Sequence, residues 1–312
     1  MKTRALLLPL LLLLSCGKPS DKSSDVQPVA AKWVRQTVAE GLVWHNYEGF
    51  DSLTAAMQIV NVLEVDLSRG DLHLSYAYYP DKEILSRVAK ERGVIAATNA
   101  SFGVPHTYIR IDGVNICEID TQPGETNWWK HETAVGFDGN HSFGFYNYDG
   151  RPSEAVPVYH NSTWRNLYSS TPILIDDYSL PEWDLKTDSS AGKNYGGKRL
   201  LVLNRHPRTA LATMEDGRLL LITVDGRWEG KAAGMTCEEL RQFLIRHFHP
   251  QFAVNMDGGG STTMFVKGFG APDTGIVNYP CDGTGDTGQG YRFDHSHERA
   301  VPTFFLITRN VQ

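Results

Sequence analysis

The chain has 312 residues, of which 41% are hydrophobic and 21% charged, and its formal net charge is −6. This length is sufficient for a large core, and the composition is that of a globular protein. The acidic balance and the lack of any long basic block argue against nucleic acid as a partner.

The N-terminus differs in composition from the rest of the chain. Residues 1–16, MKTRALLLPLLLLLSC, join a basic start to an apolar run that is too short to span a bilayer, which indicates a signal peptide. Residues 13–16 resemble a bacterial lipobox, which implies cleavage before Cys16 and lipidation of its sulfur. A plain secretory signal with an incidental cysteine is the alternative.

Residues 17–32 are rich in Ser, Lys, Asp and Pro, so we expect a flexible tether there and a folded domain at 33–312. Together with the signal, this organisation predicts an exported protein, lipid-anchored to the bacterial cell envelope. Its membrane partner would be an outer membrane, with the domain facing the periplasm or the cell surface. No second hydrophobic stretch is long enough to cross a membrane.

The first predicted elements are two strands at 57–67 and 72–79, and the turn residues between them indicate a hairpin. Helical spacing follows at 81–92 and stops at Gly93. A short apolar strand is predicted at 94–97.

The remainder of the chain is dominated by strand patterns. The Asp112-Gly113 pair predicts a hairpin turn, whereas residues 164–198 read as loop apart from 172–175. The best helix is at 236–248, where Thr236 and Glu239 have the spacing of a capping box. Further strands are predicted at 133–138 and 142–146, which residues 139–140 join, and at 209–213 and 218–224, which form a hairpin around Asp216 and Gly217. The last strands are predicted at 252–256, 263–266 and 300–308. We therefore expect a single α+β domain with mixed, largely antiparallel sheets and a few packed helices.

The stretch FAVNMDGGGSTTMFV, residues 252–266, interrupts two apolar runs with an acid, glycines and hydroxyl residues. Glycine lets a ligand approach the main chain, and successive backbone N–H groups bind anions. Asp257 beside such a cradle is a candidate base, nucleophile or metal ligand. A tight hairpin whose aspartate caps backbone N–H groups is the alternative. The cradle would comprise Gly258, Gly259, Gly260, Ser261 and Thr262.

This motif, NMDGGGSTTM, resembles the phosphodiester glycosidase family. Four more motifs of that family occur in order: ATNASF at 97–102, RHPRTA at 205–210, VDGR at 224–227 and ERAVP at 298–302. The similarity runs from about residue 57 to 307. Ala100 stands where the family pattern has glycine, which puts the local turn in doubt. Residues 128–198 lack a family landmark, and we expect them to carry specificity.

The resemblance implies a hydrolase that releases a sugar, an N-acetylhexosamine by the family's pattern, from a sugar-1-phosphodiester by C–O cleavage. Such a site needs an anion-binding group, a carboxylate and stabilisation of an oxocarbenium-like transition state. Asp257, Asp225 and Glu298 compete for the role of the carboxylate. Arg208 is the first candidate for the phosphate because guanidinium matches two phosphate oxygens.

Arg227 and Arg299 are further candidates for the phosphate, and each arginine has a structural ion pair as its alternative. Asn99 is a candidate for hydrogen bonding to the sugar, with an Asx turn as its alternative. Of the adjacent Trp128 and Trp129, at most one is expected to line the site.

The implied reaction requires no cofactor and no metal. Oxygen-bearing residues alternate at 282–288 as in a calcium loop, but the terminal acid is missing, so we expect a mobile lid there, with bound calcium as the alternative. His295 and His297 would share a face if they lay on a strand, and they motivate a metal-dependent phosphodiesterase as an alternative function. A non-catalytic binder of phosphorylated glycans is the other alternative. Cys117 and Cys281 could form a disulfide, with Cys237 left over.

Overall fold

The computed structural model describes residues 29–69, 71–119, 128–139, 141–185, 196–282 and 292–309. The predicted signal peptide, the lipidation site Cys16 and most of the predicted tether lie outside these residues. Pairing begins within the predicted tether, because Ala31 donates its N–H to the carbonyl of Phe50 at 2.9 Å.

The described part of the chain is mostly strands, with short helices between some of them. In order they are β1 Lys32–Ala39, β2 Leu42–Asp51, β3 Ala56–Val65, β4 Leu72–Glu83, α1 Leu85–Arg92, β5 Ala96–Asn99, β6 Ile109–Ile111, β7 Val114–Cys117, β8 Thr133–Phe137, β9 Phe143–Asn147, α2 Pro152–Asn161, β10 Asn166–Ser170, β11 Ile173–Ile175, α3 Gly196–Leu203, β12 Arg208–Thr213, β13 Leu219–Val224, α4 Cys237–His247, β14 Phe252–Asn255, β15 Met264–Val266 and β16 Val301–Arg309.

The strands form three sheets in which neighbouring strands are antiparallel. The largest has the order β1-β2-β3-β13-β12-β14-β11, the second β7-β6-β10-β8-β9 and the third β15-β5-β16-β4. These sheets and the helices packed on them confirm the α+β class. No helix in the described ranges is long and apolar enough to cross a bilayer.

Side chains of the central strands alternate between two apolar layers. On β13, Leu219 and Leu221 face a core shared by all three sheets, whereas Leu220 and Ile222 face α4. Burial of both faces explains why the sequence of β13, LLLITV, is apolar at every position but one. Helix α1 covers the third sheet, and α2 covers the second.

Helix α4 forms where the capping box predicts it. The hydroxyl of Thr236 accepts the N–H of Glu239, and the carboxylate of Glu239 accepts the N–H of Thr236 at 2.9 Å. The hairpins β6–β7, β8–β9 and β12–β13 are also confirmed.

The predicted hairpin between the strands now identified as β3 and β4 is wrong. β3 pairs with β2 and β13, whereas β4 pairs with β16 in another sheet. Leu63 and Leu74 instead belong to the same core, so the turn carries the chain from one sheet to the sheet packed against it. The helix predicted at 81–92 begins only at Leu85, because β4 continues to Glu83, which pairs with Val301.

Five elements of the described chain were not predicted: β1, β2, α2, β10 and α3. β10, with the sequence NLYSS, lies in a region predicted as loop, yet all five residues are buried. Its polar side chains are satisfied inside the protein, since Ser170 donates to the carbonyl of Asn255 at 2.7 Å. Cys117, Cys237 and Cys281 form no disulfide with one another.

Candidate active site

The glycine motif is the connection between β14 and β15, which belong to different sheets. Asp257 donates its N–H to the carbonyl of Ala100 at 3.1 Å, and Gly259 donates to the carbonyl of Pro207 at 2.9 Å. These bonds hold the loop at the point where β5 ends and β12 begins. Asp257 therefore lies at the junction of the first and third sheets.

Close packing explains why the loop contains glycines. A Cβ on Gly258 would lie 2.6 Å from the carbonyl oxygen of Pro207, and one on Gly260 would lie 2.4 Å from Nη2 of Arg299. Gly259 has φ of +63°, a conformation that side chains disfavour. The glycines thus let the loop fit beneath an arginine and against the main chain of the RHPR segment.

Three N–H groups of the predicted cradle are already engaged within the protein. Gly259 donates to Pro207, while Ser261 and Thr262 donate to the carbonyls of Gly258 and Gly259 at 3.2 Å. These bonds close a 3₁₀ turn at Gly259–Ser261. Positive charge at this site therefore comes mainly from side chains.

Two arginines contact the loop from different sheets. Arg227, just after β13, is exposed, and its Nη2 would lie 3.1 Å from a Cβ on Gly259. Arg299, just before β16, covers Gly260, and its Nε donates to Oδ1 of Asp282 at 2.7 Å. Within the described ranges, Arg227 has no ion-pair partner. The predicted candidates Arg227 and Arg299 are thus brought to the same loop.

Burial raises the pKa of the Asp257 carboxyl above its ordinary value. The Ser261 hydroxyl, the charges of Lys130 and Arg299 and the N–H of Gly258 act in the opposite direction and lower the pKa. Exclusion of water disfavours the ionised acid, and nearby cations favour it. Asp257 is therefore a carboxyl whose pKa is raised by burial, and the cations around it offset part of that rise.

A cavity of about 210 Å³ opens beside Asp257. Its wall includes Leu201, His206, Arg208 and Arg227, besides the first two glycines of the loop. Burial lowers the pKa of His206, and the charges of Arg208 and Arg227 lower it further, which keeps the imidazole neutral at pH 7. The cavity is below the ~300 Å³ typical of drug-sized sites, so it suits one small ring.

Arg208 is a buried structural residue rather than the open phosphate ligand that the sequence predicts. Only 2% of it is exposed. Nε donates to the carbonyl of Met235 at 2.7 Å, and Nη2 donates to those of Leu201 and Asn204 at 2.6 and 2.7 Å. The guanidinium thereby joins α3 to β12 within the wall of the cavity.

Asn99 braces the loop instead of facing the cavity. Its Nδ2 donates to the carbonyl of Asp257 at 2.7 Å, and its Oδ1 accepts from the Thr209 hydroxyl and the Thr263 N–H. Both amide atoms are engaged within the protein. Thr262, predicted as a ligand, is also buried, with its hydroxyl 3.5 Å from that of Thr209.

Asp225 lies below the loop and is not part of the cavity wall. Its Oδ1 accepts from Nδ2 of Asn278 and the N–H of Tyr279, both at 3.0 Å, and Nδ2 of Asn278 also donates to the carbonyl of Thr262. Oδ2 has no hydrogen-bond partner in the described part of the chain. Burial raises the pKa of Asp225 to about 7.

The structure places Glu298 at the start of α1. Its Oε2 accepts the N–H of Ser86 at 2.9 Å, where the residue at the N-cap position, Ile84, has no capping side chain. Burial raises the pKa of the Glu298 carboxyl, and its hydrogen bond with Ser86 lowers it. Its contacts are those of a helix cap from a distant segment.

The paired histidines do not lie on a strand. His295 contacts the carbonyl of Asn278 through Nδ1 at 2.5 Å and stacks on Tyr279, while His297 lies 3.7 Å from Asp294. No cluster of three metal-ligating side chains occurs among the residues that the structure covers. The calcium-like stretch lies outside the described residues apart from Asp282.

Sequence reasoning missed two site residues, Lys130 and His206. Both stand within motifs that the sequence makes conspicuous, WWK and RHPR. Lys130 follows two tryptophans, of which Trp129 is buried and Trp128 is partly exposed. Nothing in the local pattern indicates that this turn approaches Asp257.

Solved structures show the same fold at low sequence identity. The catalytic domain of zebrafish N-acetylglucosamine-1-phosphodiester alpha-N-acetylglucosaminidase, auto-inhibited by its pro-peptide, matches with a TM-score of 0.58 and 18% identity over 90% of this chain and 89% of that chain. A protein of Burkholderia pseudomallei matches with a TM-score of 0.57 and 13% identity over 89% of this chain and 96% of that chain. A hypothetical protein from Synechocystis matches with a TM-score of 0.55 and 12% identity over 89% and 64%.

A search of curated protein sequences gives no match. The family profile described as phosphodiester glycosidase matches residues 87–308, which include the glycine loop, both exposed arginines and the cavity. This span is more than half of the chain. The chain therefore belongs to the phosphodiester glycosidase family and is a glycosidase.

Proposed function

We propose that the protein hydrolyses a sugar-1-phosphodiester at the C–O bond, releasing a free sugar and a phosphomonoester. The observation that carries this proposal is a carboxyl, Asp257, on a glycine loop contacted by two arginines from different sheets. One carboxylate suffices because phosphate is already a good leaving group and needs its charge neutralised more than it needs a proton.

In this proposal, Arg227 and Arg299 hold the phosphate and stabilise the charge that develops on it. Guanidinium pairs with phosphate oxygens through two parallel hydrogen bonds. Arg227 is exposed and has no ion pair with a described residue, while Arg299 is held by Asp282. The three donor bonds of Arg208 to carbonyls support a bracing role for it.

Asp257 then acts at the anomeric carbon, as nucleophile or as the base that activates water. Overall, a water oxygen bonds to the anomeric carbon while the bond from that carbon to the phosphate oxygen breaks. The electron pair of the broken bond stays on the phosphate, and the water proton that is lost passes to Asp257 and then to solvent. Cations near Asp257 favour the carboxylate that either role needs.

The sugar that we propose is an N-acetylhexosamine. The zebrafish relative is named for action on an N-acetylglucosamine-1-phosphodiester, and the cavity of about 210 Å³ beside Asp257 has room for one ring. The neutral imidazole of His206 is on its wall and offers a hydrogen bond to a hydroxyl or acetamido group.

Product analysis in ¹⁸O-labelled water tests the reaction. We expect the label in the sugar, and we expect Asp257→Asn to lower kcat/KM by about 10² to 10⁴-fold. Asp216→Asn is the matched control, because Asp216 pairs with Arg218 on a distant turn. Label in the phosphate would mean P–O cleavage and would reject the proposal.

We also propose that Cys16 carries a lipid that anchors the protein to the cell envelope. The supporting observation is the sequence of residues 1–16. Labelled fatty acid should enter the wild-type protein in bacteria and should not enter Cys16→Ala. Equal labelling of both would reject the anchor.

A further inference from the structure

A third cation, Lys130, is close enough to the glycine loop for its charge to lower the pKa of Asp257. It belongs to a 3₁₀ turn at Trp128–His131. Its Nζ lies 4.7 Å from the centroid of the Phe102 ring and 5.4 Å from that of Trp129. The two rings meet edge to face at 6.1 Å. The ammonium group is thus held against two aromatic faces.

Phe102 connects this aromatic pair with the site. It lies two residues beyond Ala100, whose carbonyl accepts the N–H of Asp257. A Cβ on the next residue, Gly103, would lie 2.2 Å from Cγ of Pro302, three residues after Arg299. The segment that contains Phe102 therefore contacts both the segment that carries Asp257 and the segment that carries Arg299.

The turn that carries Lys130 is held in place by the buried residues on either side of Lys130. Trp129 is buried against α3, where a Cβ on Gly197 would lie 3.1 Å from its ring. Glu132, one residue after the turn, is fully buried and pairs with Nζ of Lys198 at 2.6 Å. A side chain on such a rigid support keeps its position without substrate, which favours binding.

We propose that Lys130 binds the phosphate of the substrate as a third cation and positions the Asp257 carboxylate. This inference rests on the proposed function and deepens it. Arg227 follows a strand of the first sheet, and Arg299 precedes a strand of the third sheet. Lys130 lies in the turn before β8, a strand of the second sheet. The phosphate would then be surrounded from three directions, with Phe102 as the apolar floor beneath the ammonium group.

Four proteins test this assignment: wild type, Lys130→Met, Lys130→Arg and Lys231→Met. The last is a matched control, because Nζ of Lys231 lies 4.2 Å from the Phe293 centroid in a similar cation–aromatic pair outside the site. The measurements are the pH dependence of kcat/KM on a sugar-1-phosphodiester and the binding of inorganic phosphate by calorimetry.

Loss of Lys130 should weaken phosphate binding and lower kcat/KM by about tenfold or more, the effect of one charged hydrogen bond. The acidic limb of the pH profile should move to higher pH, because the charge of Lys130 lowers the pKa of Asp257. Lys130→Arg should restore both properties, and Lys231→Met should behave like wild type.

A merely structural Lys130 would give a different result. In that case Lys130→Met would lower the rate while the acidic limb and phosphate affinity stayed as in wild type, and Lys130→Arg would not rescue it. That outcome would overturn the inference. A third outcome separates the two proposals. If the wild-type protein showed no turnover and Lys130→Met bound phosphate more weakly than wild type, the proposed reaction would be rejected and the role of Lys130 in binding phosphate would be retained.

Discussion

Replacement of Arg208 by methionine separates a bracing role from a phosphate-binding role. The buried guanidinium donates to the carbonyls of Met235, Leu201 and Asn204. Methionine fills much of the same volume but leaves the carbonyls of Leu201 and Asn204 without this donor, while the carbonyl of Met235 keeps only the N–H of His206. Each unsatisfied buried group costs about 1–3 kcal/mol, and relief of the buried charge offsets part of this. We expect a net loss of about 3–5 kcal/mol in the free energy of unfolding.

Urea unfolding followed by circular dichroism measures that loss as a lower midpoint at an unchanged slope. Arg227→Met is the matched control, because it removes the same charge from an exposed side chain on the cavity. It should keep the stability of wild type within about 0.5 kcal/mol and lose activity. If Arg208→Met instead kept wild-type stability and lost only activity, the bracing role would be refuted.

Two further substitutions test the other carboxyl candidates. Burial raises the pKa of Asp225 to about 7 from its ordinary 3.8, so its protonated form is the one that folding favours. The raised pKa of Asp225 contributes up to about 4 kcal/mol to the free energy of unfolding. This contribution is fully present below pH 4 and is lost as the pH rises through 7. Asparagine does not ionise, so the stability of Asp225→Asn relative to wild type should increase between pH 5 and pH 8. If the difference in unfolding free energy between the two proteins stayed the same over this pH range, the raised pKa of Asp225 would be contradicted. Glu298→Gln should cost about 1 kcal/mol as a weakened cap of α1 and retain most activity; loss of turnover in a stable protein would return Glu298 to the catalytic candidates.

Local signals in the sequence predicted the parts of the fold that depend on local chemistry. Thr236 and Glu239 cap α4 as expected because both partners lie within one helical turn. The β12–β13 hairpin follows from Asp216 and Gly217 between two apolar runs. In contrast, β10 is a polar sequence made stable by partners far along the chain, such as Asn255, which no local pattern reveals.

The residues of the site were easier to predict than their roles. The motifs named Asp257, Arg227 and Arg299, which the structure brings together at one loop. They also named Arg208 and Asn99, whose polar atoms point into the protein and brace its main chain. The direction of a side chain depends on which strands are neighbours, and the β3–β4 error shows that hydrophobic spacing alone does not determine this.

The glycine loop begins on a strand of one sheet and ends on a strand of another, and the two arginines follow the same division. Arg227 is fixed to β13, and Arg299 leads into β16. The gap between their guanidinium groups is therefore set by how the sheets pack through the shared core, which contains Leu221 and Phe305. Protein interiors transmit strain because they are close-packed. The distance between the two arginines, which is the space available to a phosphate, is thus determined by apolar core residues that do not contact the phosphate. Substitutions that change the core volume should therefore alter phosphate affinity without changing any charged group.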